Sequence, residues 1–204
     1  MLAQRRMWSM IDRAASGFPL LIEPQFLTPD ECGRLRRAMD LGEREPAEIV
    51  GDTIVTRKTI RQTTSIDVEV AVRGWFEPRL DGLRPVIARA LGCPLGEREG
   101  TSFLRYPAGG FYMPHQDRGR VAGWPAAARR SASVVVFLND SKAVDRDGDF
   151  EGGTLCLYFE PGAPGVEVHP EAGLLVAFPS GTLHEVLPVR QGTRDAAVDW
   201  FYDA

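Results

Sequence analysis

From about residue 98 onward the chain is a succession of short apolar or alternating runs closed by Gly, Pro, Asn or Asp, and this spacing constrains the fold more than any other feature. The candidate strands are Ser102–Tyr106, Phe111–Asp117, Ala132–Leu138, Thr154–Phe159, Val166–His169, Leu174–Phe178, His184–Val189 and Ala196–Tyr202. Eight short strands with turns between them predict a jelly roll or a small barrel.

The preceding half is patterned differently. Residues 1–15 read as an amphipathic helix. Thr28-Pro29-Asp30-Glu31 is a helix start, with a cap residue, proline in the first turn and early acids. That helix is predicted to run to about Asp40, with Leu35 and Met39 on one face. Ile49–Ile66 holds two β-rich runs that read as paired strands. Asp67–Leu91 is helical, with Val68, Val72, Trp75, Phe76, Leu83, Ile87 and Leu91 inward. Pro78 and Pro85 are expected to divide it, and Gly92 to end it. The expected fold is therefore mainly β, with N-terminal helices packed on one outer face of the sheets.

A chain of 204 residues is the size of one domain. The expected division is a support region over 1–97 and a core over 98–204. Lys plus Arg number 24 against 28 acids, a formal charge of −4, which does not suit general nucleic-acid binding. No apolar stretch reaches the length of a membrane span, and the N-terminus lacks the apolar core of a secretory signal. Cys32, Cys93 and Cys156 form no CxxC pair and are odd in number, as in a reduced cytoplasmic protein. Nothing in the pattern specifies an oligomeric state.

The chain has three histidines. His115-Gln116-Asp117 places an imidazole and a carboxylate two apart, so on a strand both project from one face. With His184 from a neighbouring strand they make a two-histidine, one-carboxylate set. Such a set grips one face of a metal and leaves the other open, which suits iron(II). Zinc is the chemical rival, although the helical HExxH pattern of zinc hydrolases is absent. A bare HxD also suits an ordinary surface histidine. Arg194 lies ten residues past His184, after a turn at Gln191-Gly192-Thr193. It shares a strand face with Ala196, Val198 and Trp200, while Asp195 and Asp199 take the other face. A guanidinium so placed could clamp a carboxylate. Tyr106, before a Gly-rich turn that leads back to His115, suits either a phenol offered to a co-substrate or a half-buried strand aromatic. Gly152-Gly153 permits a bulge or a close backbone approach.

Taken together, LRYPAGGFYMPHQD, VVFLND, FEGGTL and AFPSGTLHEVLPVRQGTRDAAVDWFYD resemble the prolyl-4-hydroxylase-like branch of the iron(II)/2-oxoglutarate dioxygenases, over about Thr101–Asp203. The resemblance implies a double-stranded β-helix core. It implies iron ligands at His115, Asp117 and His184, a 2-oxoglutarate clamp at Arg194, a supporting role for Tyr106 and a pocket-lining role for Trp200. The implied reaction uses O2, decarboxylates 2-oxoglutarate to succinate and CO2, and hydroxylates an unactivated C–H bond, with ascorbate an optional addition. The substrate class is a peptide, a protein side chain or an amino-acid-like molecule. Phe137 departs from relatives that carry tyrosine there, so a small hydroxyl such as Thr182 is the expected supplement to Arg194. Collagen-modifying members often use lysine where this chain has Arg194.

Arg118, Arg120, Arg129 and Arg130 flank a loop with Trp124, read either as a lid over the substrate or as a surface loop. Arg118 and Trp124 are the candidate substrate contacts. Arg57, Lys58 and Arg61 are expected at a solvated strand edge. His169, before Pro170, reads as structural, and Asp145–Glu151 as a solvated acidic loop without EF-hand spacing. The readings from other classes are a cupin-type metal-binding β-sandwich that does not oxidise and, third, a hydrolytic zinc enzyme.

Overall fold

The capping signal at Thr28 is realised in full. In the computed structural model, which describes residues 17–46, 49–50, 54–55, 60–119, 124–141 and 149–204, helix α1 spans Pro29–Leu41. Thr28 Oγ1 accepts from the Glu31 N–H at 3.3 Å, and Glu31 Oε2 accepts from the Thr28 N–H at 2.8 Å. Two donors with no partner inside the helix are thereby satisfied. Cys32, Leu35 and Met39 form its buried face. The helix expected over residues 1–15 lies outside the described residues.

Helix α2 runs unbroken over Val70–Leu91, with Pro78 and Pro85 inside it. The expected division is therefore corrected, and the reason is geometric. The two prolines lie seven residues apart, about two turns, so they fall on one face. Both are exposed, and the carbonyls that lose their donors, at Gly74 and Asp81, lie on that same side, where water can serve them. The opposite face buries Phe76, Leu80 and Ile87, and this packing keeps the helix continuous through both defects. Gly92 ends it at φ +72, donating its N–H to the Ala88 carbonyl.

The strands are β1 (Leu21–Glu23), β2 (Glu43–Pro46), β3 (Ile49–Val50), β4 (Ile54–Val55), β5 (Thr64–Asp67), β6 (Leu95–Arg98), β7 (Ser102–Tyr106), β8 (Tyr112–His115), β9 (Arg130–Phe137), β10 (Glu151–Gly152), β11 (Leu155–Tyr158), β12 (Val166–Val168), β13 (Leu175–Pro179), β14 (Leu183–Val186), β15 (Val189–Gln191) and β16 (Arg194–Asp203). The major sheet has the order β1-β13-β9-β16-β7-β5-β2, with β6 also paired to β16. The minor sheet has the order β12-β11-β14-β8. These pairings are antiparallel throughout. Two expected strands change. Phe111–Asp117 contracts to β8, which ends at His115, and His184–Val189 splits into β14 and β15, which pair with different partners. Short β1 and β6 lie outside the expected strands; each is held by a long-range partner rather than by its own pattern.

Alternation along β9 shows how the sheets are used. Val134 and Val136 join the helices, in a cluster with Leu35, Met39, Phe76, Ile87, Phe103 and Phe201. Val135 and Phe137 point the other way and pack with Leu155, Leu157 and Val168 of the minor sheet. The major sheet is thus buried on both faces, the helices covering one side and the minor sheet the other. Full burial of a side chain of this size contributes about 1.5–3 kcal/mol. The architecture is mainly β with packed helices. No helix among the described residues is long and apolar enough to cross a membrane. The three cysteines are free, with Cys32 and Cys156 buried.

Candidate metal centre and anion pocket

β14 and β8 pair so that His184 stands directly opposite His115. Their ring centroids are 4.1 Å apart. Each ring is oriented the same way: His115 Nδ1 lies 2.8 Å from the Met113 carbonyl, and His184 Nδ1 lies 2.9 Å from the Thr182 carbonyl. A carbonyl only accepts, so Nδ1 carries the proton in each ring and Nε2 keeps its lone pair for a metal. Tyr112 stacks on His115 with centroids 3.5 Å apart, and Phe178 meets His184 edge-on at 4.9 Å, which fixes both ring planes.

Asp117 lies beyond the end of β8, in a bend, so strand alternation alone does not place it. Two bonds do. The Arg118 N–H donates to the Ser180 carbonyl at 2.8 Å, and Ser133 Oγ donates to Asp117 Oδ2 at 2.7 Å. Asp117 Oδ1 is 3.7 Å from His115 Nε2, and Oδ2 is 3.5 Å from His184 Nε2. One donor atom from each of the three residues falls within 4.8 Å of the others. Burial, and then the neighbouring His184, push the His115 imidazolium well below the ordinary histidine range. Burial works against ionising Asp117, but His184, His115 and the Ser133 hydroxyl together hold it below the usual carboxylate value. A neutral His115 imidazole beside an ionised carboxylate suits a divalent cation.

Arg194 opens β16 directly opposite Tyr106 of β7. It is 2% exposed. Its guanidinium sits 4.8 Å from the Tyr106 ring and 5.1 Å from the Phe137 ring. Nε is buried without a hydrogen-bond partner, and no salt bridge reaches the group among the described residues. Burial weighs against its charge, and Tyr106 and Asp195 offset part of that. A buried arginine lacking a counter-ion is costly unless an anion completes it. The neighbouring acids cannot serve. Asp195 faces the opposite side, where Arg105 Nε and Arg36 Nε hold it at 2.7 and 2.9 Å, and Asp199 is bound by Arg98 and Thr101. The face division expected for β16 is realised.

One cavity of about 810 Å³ contains both groups. His115, Asp117, His184, Arg194, Tyr106, Trp200, Arg118 and Trp124 all line it, so these expected site residues are brought together. Trp200 lies beneath Arg130, whose guanidinium is 3.7 Å from the indole centroid and is paired with Glu99. The indole N–H helps keep Asp117 ionised, without a fully formed hydrogen bond.

Thr182 is buried and is not among the cavity-lining residues; its backbone carbonyl orients His184. One expectation is corrected. Arg61 is not at a solvated edge. It bridges to Tyr112, stacks over that ring at 4.7 Å and lines the cavity. Arg57, Lys58, Arg120 and residues 145–148 lie outside the described residues. His169 is largely exposed, near Thr154 and Glu167, and away from the cavity. Sequence reasoning missed Ser133, Tyr112 and Gly153. Inward alternation along β9 pointed toward Ser133; nothing local marked Gly153 as the residue against Arg194.

A family model described as the 2OG-Fe(II) oxygenase superfamily matches residues 101–202. A PKHD-type hydroxylase from Parvibaculum lavamentivorans is 32% identical over 181 residues, covering 87% of this chain and 75% of its own. A prolyl-4-hydroxylase from Pseudomonas putida has a solved structure that matches with TM-score 0.70 and 30% identity, over 96% of this chain and 98% of that one. A prolyl hydroxylase from Trichoplax adhaerens, solved in complex with a hypoxia inducible factor oxygen degradation domain peptide fragment, matches with TM-score 0.72 and 22% identity over 94% and 86% of the two chains, a likeness of fold.

Proposed function

Because the chain belongs to the 2OG-Fe(II) oxygenase superfamily, in its prolyl-4-hydroxylase-like branch, we propose that His115, Asp117 and His184 hold the iron, that Arg194 holds the far carboxylate of 2-oxoglutarate, and that the substrate is a peptidyl or protein side chain. The enzyme is a 2OG-Fe(II)-dependent hydroxylase, with Fe(II) and 2-oxoglutarate as metal and co-substrate. That activity excludes the non-oxidising cupin and the zinc hydrolase as readings of this chain.

The observation that carries the assignment of residues is the buried Arg194, without a counter-ion among the described residues, in the same cavity as the triad. A dicarboxylate whose other end chelates the metal completes both. When bound, iron and 2-oxoglutarate supply the oxidising chemistry, with decarboxylation to succinate and CO2. The chain's residues supply placement. Arg194 offers a fork of donors in a site shielded from water, where each bond is stronger than in solution. The Tyr106 and Phe137 rings flank the guanidinium and hold it in one orientation. Ser133 and the Met113 and Thr182 carbonyls hold the three metal-binding side chains so that little reorganisation accompanies binding.

The peptidyl substrate is supported by the aromatic lining beyond the triad, with Tyr112, Trp124 and Trp200 around the cavity and Arg118 beside them, and by the peptide complex of the Trichoplax relative. We read the two facing sheets as a double-stranded β-helix over 98–204, braced by the described part of the preceding region, α1 and α2 above all, within a single domain.

The test is anaerobic addition of Fe(II) and 2-oxoglutarate, which should give a weak visible charge-transfer band that His115→Ala abolishes. Turnover is then followed by mass spectrometry with proline-containing peptides, other peptides, free proline and free amino acids. A mass gain of one oxygen on a peptide, with matching succinate, supports the substrate class. Oxidation of free amino acids alone overturns it.

A further inference from the structure

Asn139 is buried behind the anion pocket, and it belongs to neither the cavity lining nor the metal set. Both ends of its amide are bonded to the backbone on either side of Arg194. Its Nδ2 donates to the Thr193 carbonyl at 2.7 Å, and its Oδ1 accepts from the Asp195 N–H at 2.9 Å. The Asp195 carbonyl in turn accepts from the Leu138 N–H at 3.0 Å. The chain enters β16 here directly after Gly192, which turns at φ +77. Residues 193–195 are therefore the point where a turn becomes a strand. A turn-to-strand junction is where one bonding pattern can slip into another, and a one-residue slip would send Arg194 to the opposite face of the sheet.

We propose that Asn139 is a positioning residue for Arg194: its amide brackets the backbone at 193 and 195, and so aims the guanidinium into the cavity with the geometry that a carboxylate needs. No single hydroxyl or charged group could do the same work. The bracket needs one donor and one acceptor a fixed distance apart in one plane, which is what a carboxamide offers. Asp195 completes the anchoring from behind, since its carboxylate is fully buried and bound by Arg36 of α1 and Arg105 of β7. The bracket acts on the approach of the co-substrate, because the metal-binding side chains sit on β8, β14 and the bend after β8 and are oriented by Met113, Ser133 and Thr182.

The inference rests on the reading of Arg194 as the 2-oxoglutarate clamp, and the experiment keeps the two apart. Full-length Asn139→Ala, the near-isosteric Asn139→Asp, which retains the acceptor but loses the donor, and Arg194→Gln are compared with the parent. For each, the anaerobic Fe(II)–2-oxoglutarate absorption band is titrated with 2-oxoglutarate, Fe(II) affinity is measured without it, and melting temperature is recorded. Loss of a buried bond with its partner left unsatisfied should raise the 2-oxoglutarate half-saturation roughly tenfold in either Asn139 variant, with Fe(II) affinity and the saturated band intensity unchanged. If Asn139→Ala does not fold, Asn139→Asp gives the same reading. A folded variant with lowered melting temperature and unaltered half-saturation overturns the proposal, as does a loss of Fe(II) affinity in parallel. If Arg194→Gln binds 2-oxoglutarate like the parent, the clamp assignment itself is wrong; if Arg194→Gln loses binding and the Asn139 variants do not, only the positioning role fails.

Discussion

Gly153 presses its backbone against Arg194: a Cβ added at Gly153 would lie 2.7 Å from Arg194 Cδ and 2.9 Å from a ring carbon of Phe150. Gly153 also adopts φ +64, a conformation that side chains rarely tolerate. Gly153, just before β11, is thus packed against the stem of the Arg194 side chain at Cδ. Gly153→Ala should raise the 2-oxoglutarate half-saturation and cost about 1–3 kcal/mol of stability through overpacking and strain. Gly181→Ala is the matched control, since nothing lies within 4 Å of its added Cβ. Co-substrate titration and chemical unfolding of both variants check this. Equal behaviour of the two would remove Gly153 from the pocket's design.

Ser133 carries a separate part of the site. Its hydroxyl donates to Asp117 Oδ2 at 2.7 Å, and Ser180 Oγ lies 3.0 Å behind it. Because Asp117 sits past the end of β8, this bond does what strand alternation does not. Ser133→Ala should lower Fe(II) affinity roughly tenfold, in line with the loss of a group that orients a metal ligand. The fold should survive, since the substitution is small and faces the cavity. Metal titration of the apo-protein by calorimetry, beside a melting curve, decides it.

The two prolines of α2 make a prediction about stability alone. Pro78→Ala and Pro85→Ala restore N–H groups whose carbonyl partners lie on the exposed side of a continuous helix. Each should stabilise the protein by about 1–3 kcal/mol, less whatever the unfolded chain regains in freedom. Urea unfolding of each variant would show it as a raised midpoint. A lowered midpoint would mean that the prolines hold contacts the helix needs.

These prolines also show where reading a sequence stops. Local rules place breaks at Pro78 and Pro85, but the outcome depends on which face they occupy and on how much Phe76, Leu80 and Ile87 bury opposite them. The same contrast runs through the site. Arg194 was legible because alternation along one strand separates it from Asp195 and Asp199. His115 and Asp117 were legible as a spacing, and their meeting with His184 followed from two strands being neighbours. Gly153, Tyr112 and Arg61 were not legible in these roles, because each depends on register between distant segments, and a one-residue shift of register reverses every face. Thr182 was singled out for its hydroxyl, while the contact it makes with His184 is through its carbonyl, a backbone role that no side-chain pattern reports.

The capping box of α1 gives a pH-dependent test away from the cavity. The bond from the Thr28 N–H, and then Arg79, hold the Glu31 carboxyl below the ordinary carboxylate range. A carboxylate with a depressed folded pKa contributes stability above the unfolded value and loses it as pH falls through the folded one. Glu31→Gln should therefore destabilise the protein at pH 7 and do so less as the pH is brought down through and below 4.5. Denaturant unfolding of parent and variant across that range measures the difference. A difference that does not change with pH would assign the effect to packing rather than to the charge.

Arg194→Lys tests the clamp by changing its shape while keeping its charge. Lysine is shorter, offers a point charge in place of a planar fork, and would lose the flat contacts with Tyr106 and Phe137 at 4.8 and 5.1 Å. Phe137, unlike Tyr106, brings no hydroxyl beside the guanidinium. The 2-oxoglutarate half-saturation should rise roughly tenfold or more, from the loss of a bidentate, charge-assisted contact in a buried site. Fe(II) affinity should stay unchanged, because no bond joins Arg194 to His115, Asp117 or His184. Arg194→Met removes the charge as well and should bind the co-substrate more weakly still. The measurement is the same anaerobic titration, run beside succinate formation at saturating peptide. If lysine serves as well as arginine, the charge alone holds the carboxylate, and the ring cradle around Arg194 has another purpose.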